Sequence, residues 1–165
     1  MRRVIRTATI DDLKDIAEVE ALCFPAAEAA SSEDFKKRLL VYPEHFVLLY
    51  EDDRLVSFVD GMVTDAPDLE DIMYEDASLH DPEGKWQMIF GVNTIPSCRK
   101  KGYAGMLIHK LIDMAREQGR EGLVLTCKEE LISYYSKFGF VNEGLSSSSH
   151  GGVIWYQMRL TFDKK

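Results

Sequence analysis

The sequence lacks the features that mark several large classes of protein. No apolar run reaches the ~18 residues that a membrane span needs, and the Walker pattern Gly-x-x-x-x-Gly-Lys-Ser/Thr is absent. An excess of positive charge is absent: the 28 acidic residues outnumber the 20 Lys and Arg, and the net charge of −8 argues against general nucleic-acid binding. Its three cysteines, Cys23, Cys98 and Cys127, are odd in number and too far apart for a disulfide framework or a zinc site. We therefore expect a cytoplasmic protein with reduced thiols and no metal, membrane or nucleic-acid partner.

What the sequence does contain is a succession of strand and helix patterns over 165 residues, a length that suits one domain, 1–165. Runs rich in β-branched and aromatic residues predict strands, and apolar residues three and four apart predict helices. Thr9 with Asp12 caps the first helix, and Ser31 or Ser32 caps the second. The predicted strands are 4–8, 46–50, 55–64, 86–95, 122–127, 140–144 and 153–160, and the predicted helices are 13–23, 32–42, 106–118 and 131–138.

A basic, glycine-containing loop joins the central strand to the third of these helices. Its sequence is Arg99-Lys100-Lys101-Gly102-Tyr103-Ala104-Gly105, and we call it the glycine loop. A strand, a loop and a helix start in this order aim backbone N–H groups at one point, backed by the positive end of the helix dipole. The pattern predicts an anion site, and phosphate is the anion that such loops hold. On the motif alone, a basic surface loop without a ligand remains the alternative.

The spacing Arg99-x-x-Gly102-x-Ala104 resembles the pyrophosphate loop of the GCN5-related N-acetyltransferases. Tyr134 to Phe140 is similar to the Tyr-x-x-x-Gly-Phe segment of the same family, and the order of strands and helices matches its fold. The resemblance implies an α/β fold with a mixed, mostly antiparallel twisted sheet of about seven strands and four or five helices, splayed at the central strand. It also implies acetyl-CoA as cosubstrate.

The resemblance assigns cofactor contacts to two neighbouring stretches. Family members pair the pantetheine arm with the end of the central strand, and they hold the pyrophosphate mainly through backbone N–H groups of the loop. Carried over to this sequence, the cofactor-binding residues are Val92, Asn93, Thr94, Arg99, Lys100, Lys101, Gly102, Tyr103, Ala104 and Gly105.

Two residues are candidates for catalysis. Tyr135 matches the family tyrosine that protonates the leaving thiolate, and a phenol with pKa ~10 holds its proton at neutral pH. Glu28 matches a loop glutamate that faces the amine in insect and fungal relatives. The alternatives are a core tyrosine and a solvent-facing loop acid. The serotonin-type enzymes carry two histidines on the central strand, and Met88 and Phe90 replace them here.

Two further segments bear on the acceptor. Residues 65–84 contain eight acidic side chains and no Lys or Arg, which indicates either a solvated insertion or an acidic wall that attracts a cation. The serine- and glycine-rich loop 146–152 is expected to be mobile, and no histidine, including His150 within it, has an evident place in the site.

Short segments narrow the resemblance to one branch of the family. Residues 125–135 and 24–31 resemble those of arylalkylamine (serotonin-type) and polyamine N-acetyltransferases. The implied reaction is direct attack by the primary amine of a small cationic acceptor on acetyl-CoA in a ternary complex. Acetylation of a protein or peptide, and CoA binding without catalysis, remain as alternatives. Both a monomer and a homodimer are compatible with the sequence.

Overall fold

A computed structural model describes residues 2–163, so that Met1, Lys164 and Lys165 of the predicted domain lie outside the described residues. Strands and helices alternate as the sequence predicts. The strands are β1 (Arg3–Thr7), β2 (Phe46–Glu51), β3 (Arg54–Asp60), β4 (Val63–Thr64), β5 (Trp86–Ile89), β6 (Gly91–Thr94), β7 (Gly122–Cys127), β8 (Val141–Leu145) and β9 (Tyr156–Thr161). The helices are α1 (Leu13–Cys23), α2 (Ser32–Val41), α3 (Ile72–Glu75), α4 (Tyr103–Glu117) and α5 (Ile132–Ser136).

The strands form two sheets that share no ladder. One sheet has the order β1-β2-β3-β6, and the other has the order β4-β5-β7-β9-β8. Within residues 2–163, β5 and β7 pair in parallel and the other neighbours are antiparallel. The first sheet therefore ends at β6, and the second sheet continues from β5 to β7 on the far side of an opening. This opening is the splay that the family resemblance implies, and the predicted α/β fold is confirmed.

The splay arises because one predicted strand changes partner halfway. Phe90 separates β5, which pairs with β4 and β7, from β6, which pairs with β3. The prediction of one continuous strand over 86–95 is therefore wrong, since an apolar run gives no sign of where the strand leaves its first neighbour. The Phe90 N–H donates to the carbonyl of Asp60 at 2.7 Å, and this bond fixes the crossing point.

A second predicted strand, 55–64, breaks beside the first. It divides into β3 and β4 around Gly61, which the sequence marks as a possible bulge. A Cβ atom on Gly61 would lie 1.8 Å from the carbonyl oxygen of Met88, so that only glycine fits here. The two broken strands explain why nine strand segments stand where about seven are predicted.

The caps and the core agree with the sequence patterns. Ser31 Oγ accepts from the Asp34 N–H at 3.1 Å, and the Asp34 carboxylate accepts from the Ser31 N–H at 3.0 Å, which begins α2 with a capping box. Strands β2 and β3 are buried along most of their length because α1 and α4 both contact β3, and Phe35 of α2 packs on Phe58. No helix within residues 2–163 has the length and apolar character needed to cross a membrane.

Candidate active site

A cavity of about 530 Å³ opens at the splay between the two sheets. Its walls come from the end of α1 and the loop that follows, the crossing point between β5 and β6, the end of β7, helix α5 and the loop before β9. These segments are far apart in the sequence, and the fold brings them to one place. The cavity includes both predicted catalytic residues, Tyr135 and Glu28.

The glycine loop has the geometry of a helix-start anion site. Lys100 and Gly102 have φ angles of +66° and +81°, and α4 begins directly afterwards at Tyr103. The N–H groups of the first helical turn have no acceptor within the helix, so they are oriented outward together with the positive end of the dipole. A Cβ atom on Gly102 would meet nothing within 4 Å, so no neighbouring group covers the loop at that position.

The side chains of the glycine loop contribute unequally. Arg99, Lys100 and Lys101 are exposed, and Arg99 Nε donates to the carbonyl of Thr94 at 3.1 Å, which ties the loop to β6. The Tyr103 side chain is buried away from the loop surface, where its hydroxyl donates to Glu51. Tyr103 can therefore contact an anion through its backbone N–H but not through its side chain.

The predicted pantetheine stretch lies at the open edge of β6. The Ile95 N–H donates to the carbonyl of Val56 in β3. Because backbone groups point to alternate sides along a strand, the backbone N–H and carbonyl of Asn93 also point toward β3. Those of Val92 and Thr94 point the other way, into the splay. The Thr94 carbonyl already accepts from Cys23 Sγ at 3.3 Å as well as from the glycine loop. Val92 is thus the residue of the three that offers a backbone N–H and carbonyl toward the cavity.

Tyr135 lies on α5 and is 7% exposed. Its ring packs edge-on against Tyr134 and Phe140, with centroids 5.2 and 6.3 Å away. Burial raises the pKa of Tyr135 well above its ordinary value, so the phenol keeps its proton throughout the neutral range. The phenol therefore carries the proton that a leaving thiolate would take, although burial also makes it a weaker acid than a free tyrosine.

Glu28 is held inside the cavity wall, so the alternative of a solvent-facing acid is excluded. Its side chain is 7% exposed and its carboxylate forms an ion pair with Lys128, whose Nζ lies 2.9 Å from Oε1. The backbone carbonyl of Glu28 accepts from His150 Nε2 at 2.7 Å. Lys128 also lies 6.0 Å above the ring of Trp155, so one cation and one anion face the cavity side by side.

The expectation that no histidine has a place in the site is wrong for His150. Its ring stacks on Tyr74 at 5.0 Å and lies 6.3 Å from Trp155, and these three rings line the cavity. The loop 146–152, predicted to be mobile, is anchored because Asp71 accepts from the Ser149 N–H at 3.1 Å. Serine- and glycine-rich composition does not reveal such an anchor, since its partner is about eighty residues away in the chain.

Part of the acidic segment 65–84 forms a wall of the cavity. Asp71, Tyr74 and Glu75 line it, which agrees with the acidic-wall interpretation of this segment. The Tyr74 ring also packs 4.9 Å from Phe90, the residue at the strand crossing. The place of the missing family histidines is thus taken by an aromatic surface at Phe90 and by Met88, which is fully buried in the core.

Three charged residues of the site are absent from the sequence-based candidates. Glu20, Arg38 and Asp60 are all buried, and all three line the cavity. Burial, with the nearby Asp60 charge, raises the pKa of Glu20 to about 7, and burial raises the pKa of Asp60 to about 6. The sequence does contain a signal, because Glu20 occupies a core-facing position four residues after Ile16 in α1, where an apolar residue is expected.

A separate group, Glu44, His45 and His80, has side chains close enough together to raise the question of a metal site. The Val63 N–H donates to His80 Nδ1 at 3.0 Å, so the neutral ring carries its proton on Nε2 and has no lone pair there for a metal. Burial lowers the pKa of His80 to about 4, which keeps this tautomer neutral. His45 Nδ1 donates to Gln87 at 2.9 Å, so His45 connects the loop before β2 to β5, while His80 connects β4 to the segment that follows it.

Comparison with known proteins decides the family. A sequence model of the acetyltransferase (GNAT) family matches residues 13–140. The chain belongs to the acetyltransferase (GNAT) family. The serotonin N-acetyltransferase of Mesocricetus auratus is 23% identical over 158 residues, which cover 93% of this chain and 75% of that protein.

Solved GNAT structures share the whole fold at low identity. The loading GNATL domain of CurA from Lyngbya majuscula has a TM-score of 0.84 and 17% identity, with 98% of each chain covered. PaiA N-acetyltransferase from Thermoplasma acidophilum, solved in complex with coenzyme A, has a TM-score of 0.72 and 15% identity, covering 98% of this chain and 100% of that one. The predicted family and the predicted enzyme class, a CoA-dependent N-acetyltransferase, are confirmed.

Proposed function

We propose that this GNAT enzyme transfers the acetyl group of acetyl-CoA to the primary amine of a small cationic acceptor, an arylalkylamine or a polyamine. The observation that carries the proposal is the composition of the cavity, which combines aromatic rings with carboxylates beside the strand splay. Tyr74, Phe90 and Trp155 supply flat apolar surface, while Glu28 and Asp71 supply negative charge. An aromatic amine presents the matching chemistry, because it joins a ring to an ammonium group.

The cofactor would lie along the open edge of β6. In this arrangement the N–H groups of residues 100–105 hold the pyrophosphate, with Arg99, Lys100 and Lys101 adding positive charge, and Val92 pairs with the pantetheine arm. The thioester then reaches the crossing point at Phe90 and Gly91, next to the cavity. The free edge of β6 and the outward N–H groups of α4 support this placement.

The reaction needs a neutral amine and a proton for the departing thiolate. Tyr135 serves as the acid, since its buried phenol stays protonated. Glu28 binds the ammonium and assists its deprotonation, in competition with Lys128 for the same carboxylate. General acid and base groups of this kind contribute about 10²–10⁴-fold each. The amine then attacks the thioester directly in a ternary complex.

The test is a steady-state screen of thiol release from acetyl-CoA with tyramine, tryptamine, phenethylamine, spermidine and a lysine peptide. We expect the arylalkylamines to give the highest kcat/KM, because the peptide and spermidine leave the aromatic surface unfilled. Preference for the lysine peptide would favour protein acetylation. CoA binding measured by calorimetry, without turnover on any amine, would favour a binding module.

A further inference from the structure

Three polar side chains from three different elements converge beneath Gly91, the first residue of β6. A Cβ atom on Gly91 would lie 3.1 Å from Asn93 Nδ2, 3.2 Å from Asp60 Oδ1 and 3.5 Å from Glu20 Oε1. Any larger residue would therefore displace these groups from the strand crossing. Gly91 lines the cavity together with Glu20 and Asp60, so the cluster lies directly behind the place where the proposed function puts the thioester.

The hydrogen bonds of this cluster do not satisfy all of its polar atoms. Asp60 Oδ2 accepts from Arg38 Nη1 at 3.1 Å, and Arg38 Nη2 donates to the carbonyl of Tyr74 at 3.0 Å. Glu20 Oε2 accepts from the Ala30 N–H at 2.9 Å. Within the described part of the chain, the buried Glu20 Oε1 has no donor in full hydrogen-bond geometry, and the Asn93 amide beside it also has no partner. An unpaired buried carboxylate oxygen is costly to keep, and its place at the wall of a reaction cavity points to a role there.

We propose that Glu20 accepts the proton of the substrate ammonium, and that the neighbouring charge of Asp60 sets the basicity of Glu20. This inference rests on the proposed function and changes one step of it: Glu20 accepts the proton, and Glu28 keeps only the role of binding the ammonium. Glu28 already has a cation, Lys128, at 2.9 Å. Glu20 shares the single guanidinium of Arg38 with Asp60, so the two buried acids have one compensating charge between them.

The proton balance is simple. One N–H bond of the substrate ammonium breaks, its electron pair stays on nitrogen, and an O–H bond forms on Glu20. The amine attacks the thioester carbon, the C–S bond breaks, and the thiolate takes the proton of Tyr135. The second proton that nitrogen loses as the amide forms restores the Tyr135 phenol. Glu20 then releases its proton to solvent, so each turnover yields amide, free CoA and one proton.

The surroundings of Glu20 bring its pKa close to neutral pH, where a general base is most effective. Burial and the Asp60 charge raise its pKa to about 7, against the opposing effects of the Ala30 N–H, Arg38 and the Asn93 amide. Besides Asp60 and Arg38, other titratable groups line the cavity with Glu20. They are the Cys23 thiol on the same helix and, from other elements, Glu28, Asp34, Asp71, Tyr74, Glu75, Cys127, Lys128, Glu130, Tyr135 and His150. A base with a pKa near the working pH combines availability with driving force for proton removal.

The first experiment compares the pH dependence of kcat/KM for the wild type, Glu20→Gln and Glu18→Gln with the best amine of the screen. The glutamine at position 20 keeps an acceptor for the Ala30 N–H and removes the ionisation. In the wild type we expect kcat/KM to fall as the pH drops below about 7, and we call this fall the acid limb. Glu20→Gln should lose the acid limb, with kcat reduced about 10²–10⁴-fold and CoA affinity unchanged. Glu18→Gln is the matched control, since Glu18 is on the exposed face of α1. An acid limb retained in Glu20→Gln overturns the inference.

Two further measurements separate a proton acceptor from a structural residue. Asp60→Asn removes the neighbouring negative charge, so the acid limb must move to lower pH if it belongs to Glu20 and must stay in place if it belongs to Glu28. Carbon-13 NMR of wild-type protein labelled at glutamate carboxyl carbons needs no variant and should show a glutamate that titrates near pH 7. Absence of any glutamate titrating above pH 6 contradicts the inference. If the wild type acetylates no amine, the proposed function and this inference both fail, whereas wild-type turnover with an unmoved limb removes this inference alone.

Discussion

The glycine loop and the cavity differ in how the chain builds them. The glycine loop is one continuous stretch, 99–105, which is mostly exposed, basic and reliant on backbone N–H groups. The cavity draws on separate segments of the chain, is largely buried and acidic, and relies on side chains such as Glu20, Glu28 and Asp60. Local sequence therefore determines the first region, and tertiary structure determines the second.

The difference follows from what each region has to bind. A pyrophosphate is the same in every acyl-CoA, and a helix start with a glycine in the left-handed region recognises it without any particular side chain. An acceptor amine varies between enzymes, so its site has to be specified by side chains that the fold collects. If backbone groups bind the cofactor and side chains bind the acceptor, substitutions in the two regions should change different constants. The effect should be largest at Tyr135, where the proposed cofactor and acceptor meet.

Tyr135→Phe is expected to have the largest effect. Loss of the acid should lower kcat about 10²–10⁴-fold, since the thiolate would depart without a proton donor. The affinity for CoA measured by calorimetry should not change, because the ring and its packing are kept. Tyr134→Phe is the control: its ring contacts Tyr135 at 5.2 Å, and we expect near-wild-type kcat. Equal rates for the two variants would show that Tyr135 is a core tyrosine only.

Glu20 should also make the cavity a source of pH-dependent instability. Folded Glu20 holds its proton up to about pH 7, whereas its ordinary pKa is 4.5, so the folded state binds more protons between these values. The free energy of unfolding therefore falls as pH rises through this window. Glu20→Gln should be more stable than the wild type by about 3 kcal/mol at pH 8, and equal to it at pH 4. Urea unfolding at both pH values measures this, and a difference independent of pH would contradict it.

The same contrast separates the features that can be predicted from the sequence from those that cannot. The glycine loop and the helix it begins are predictable because every contributor lies within a few residues. The Ser31–Asp34 capping box is predictable for the same reason. Glu20 and Asp60 are not, because a charged residue on an apolar face shows its meaning only when the partner elements are known. The strand crossing at Phe90 is hidden too, since both halves of the run favour a strand equally well.

Gly102→Ala tests the glycine loop. The backbone at Gly102 has φ +81°, where an alanine costs about 1–2 kcal/mol. If the free loop relaxes to avoid this strain, the Kd for CoA should rise about fivefold to thirtyfold, with little change in the KM for the amine. Gly119→Ala is a matched control, because Gly119 has φ +78° and open space but lies at the other end of α4. Calorimetry that finds equal CoA affinity in both variants would show that the loop does not hold the cofactor.

Lys128→Met tests the acceptor side of the cavity and should have the smallest effect. Lys128 competes with the substrate ammonium for the Glu28 carboxylate, so its removal should lower the KM for a cationic amine. A partly exposed ion pair contributes about 0.2–1 kcal/mol, which corresponds to at most about a fivefold change. Lys137→Met removes an exposed lysine of the same charge after α5 and should leave KM unchanged. A raised KM in Lys128→Met would mean that the lysine orients Glu28 rather than competing for it, and that the ion pair is part of the acceptor site.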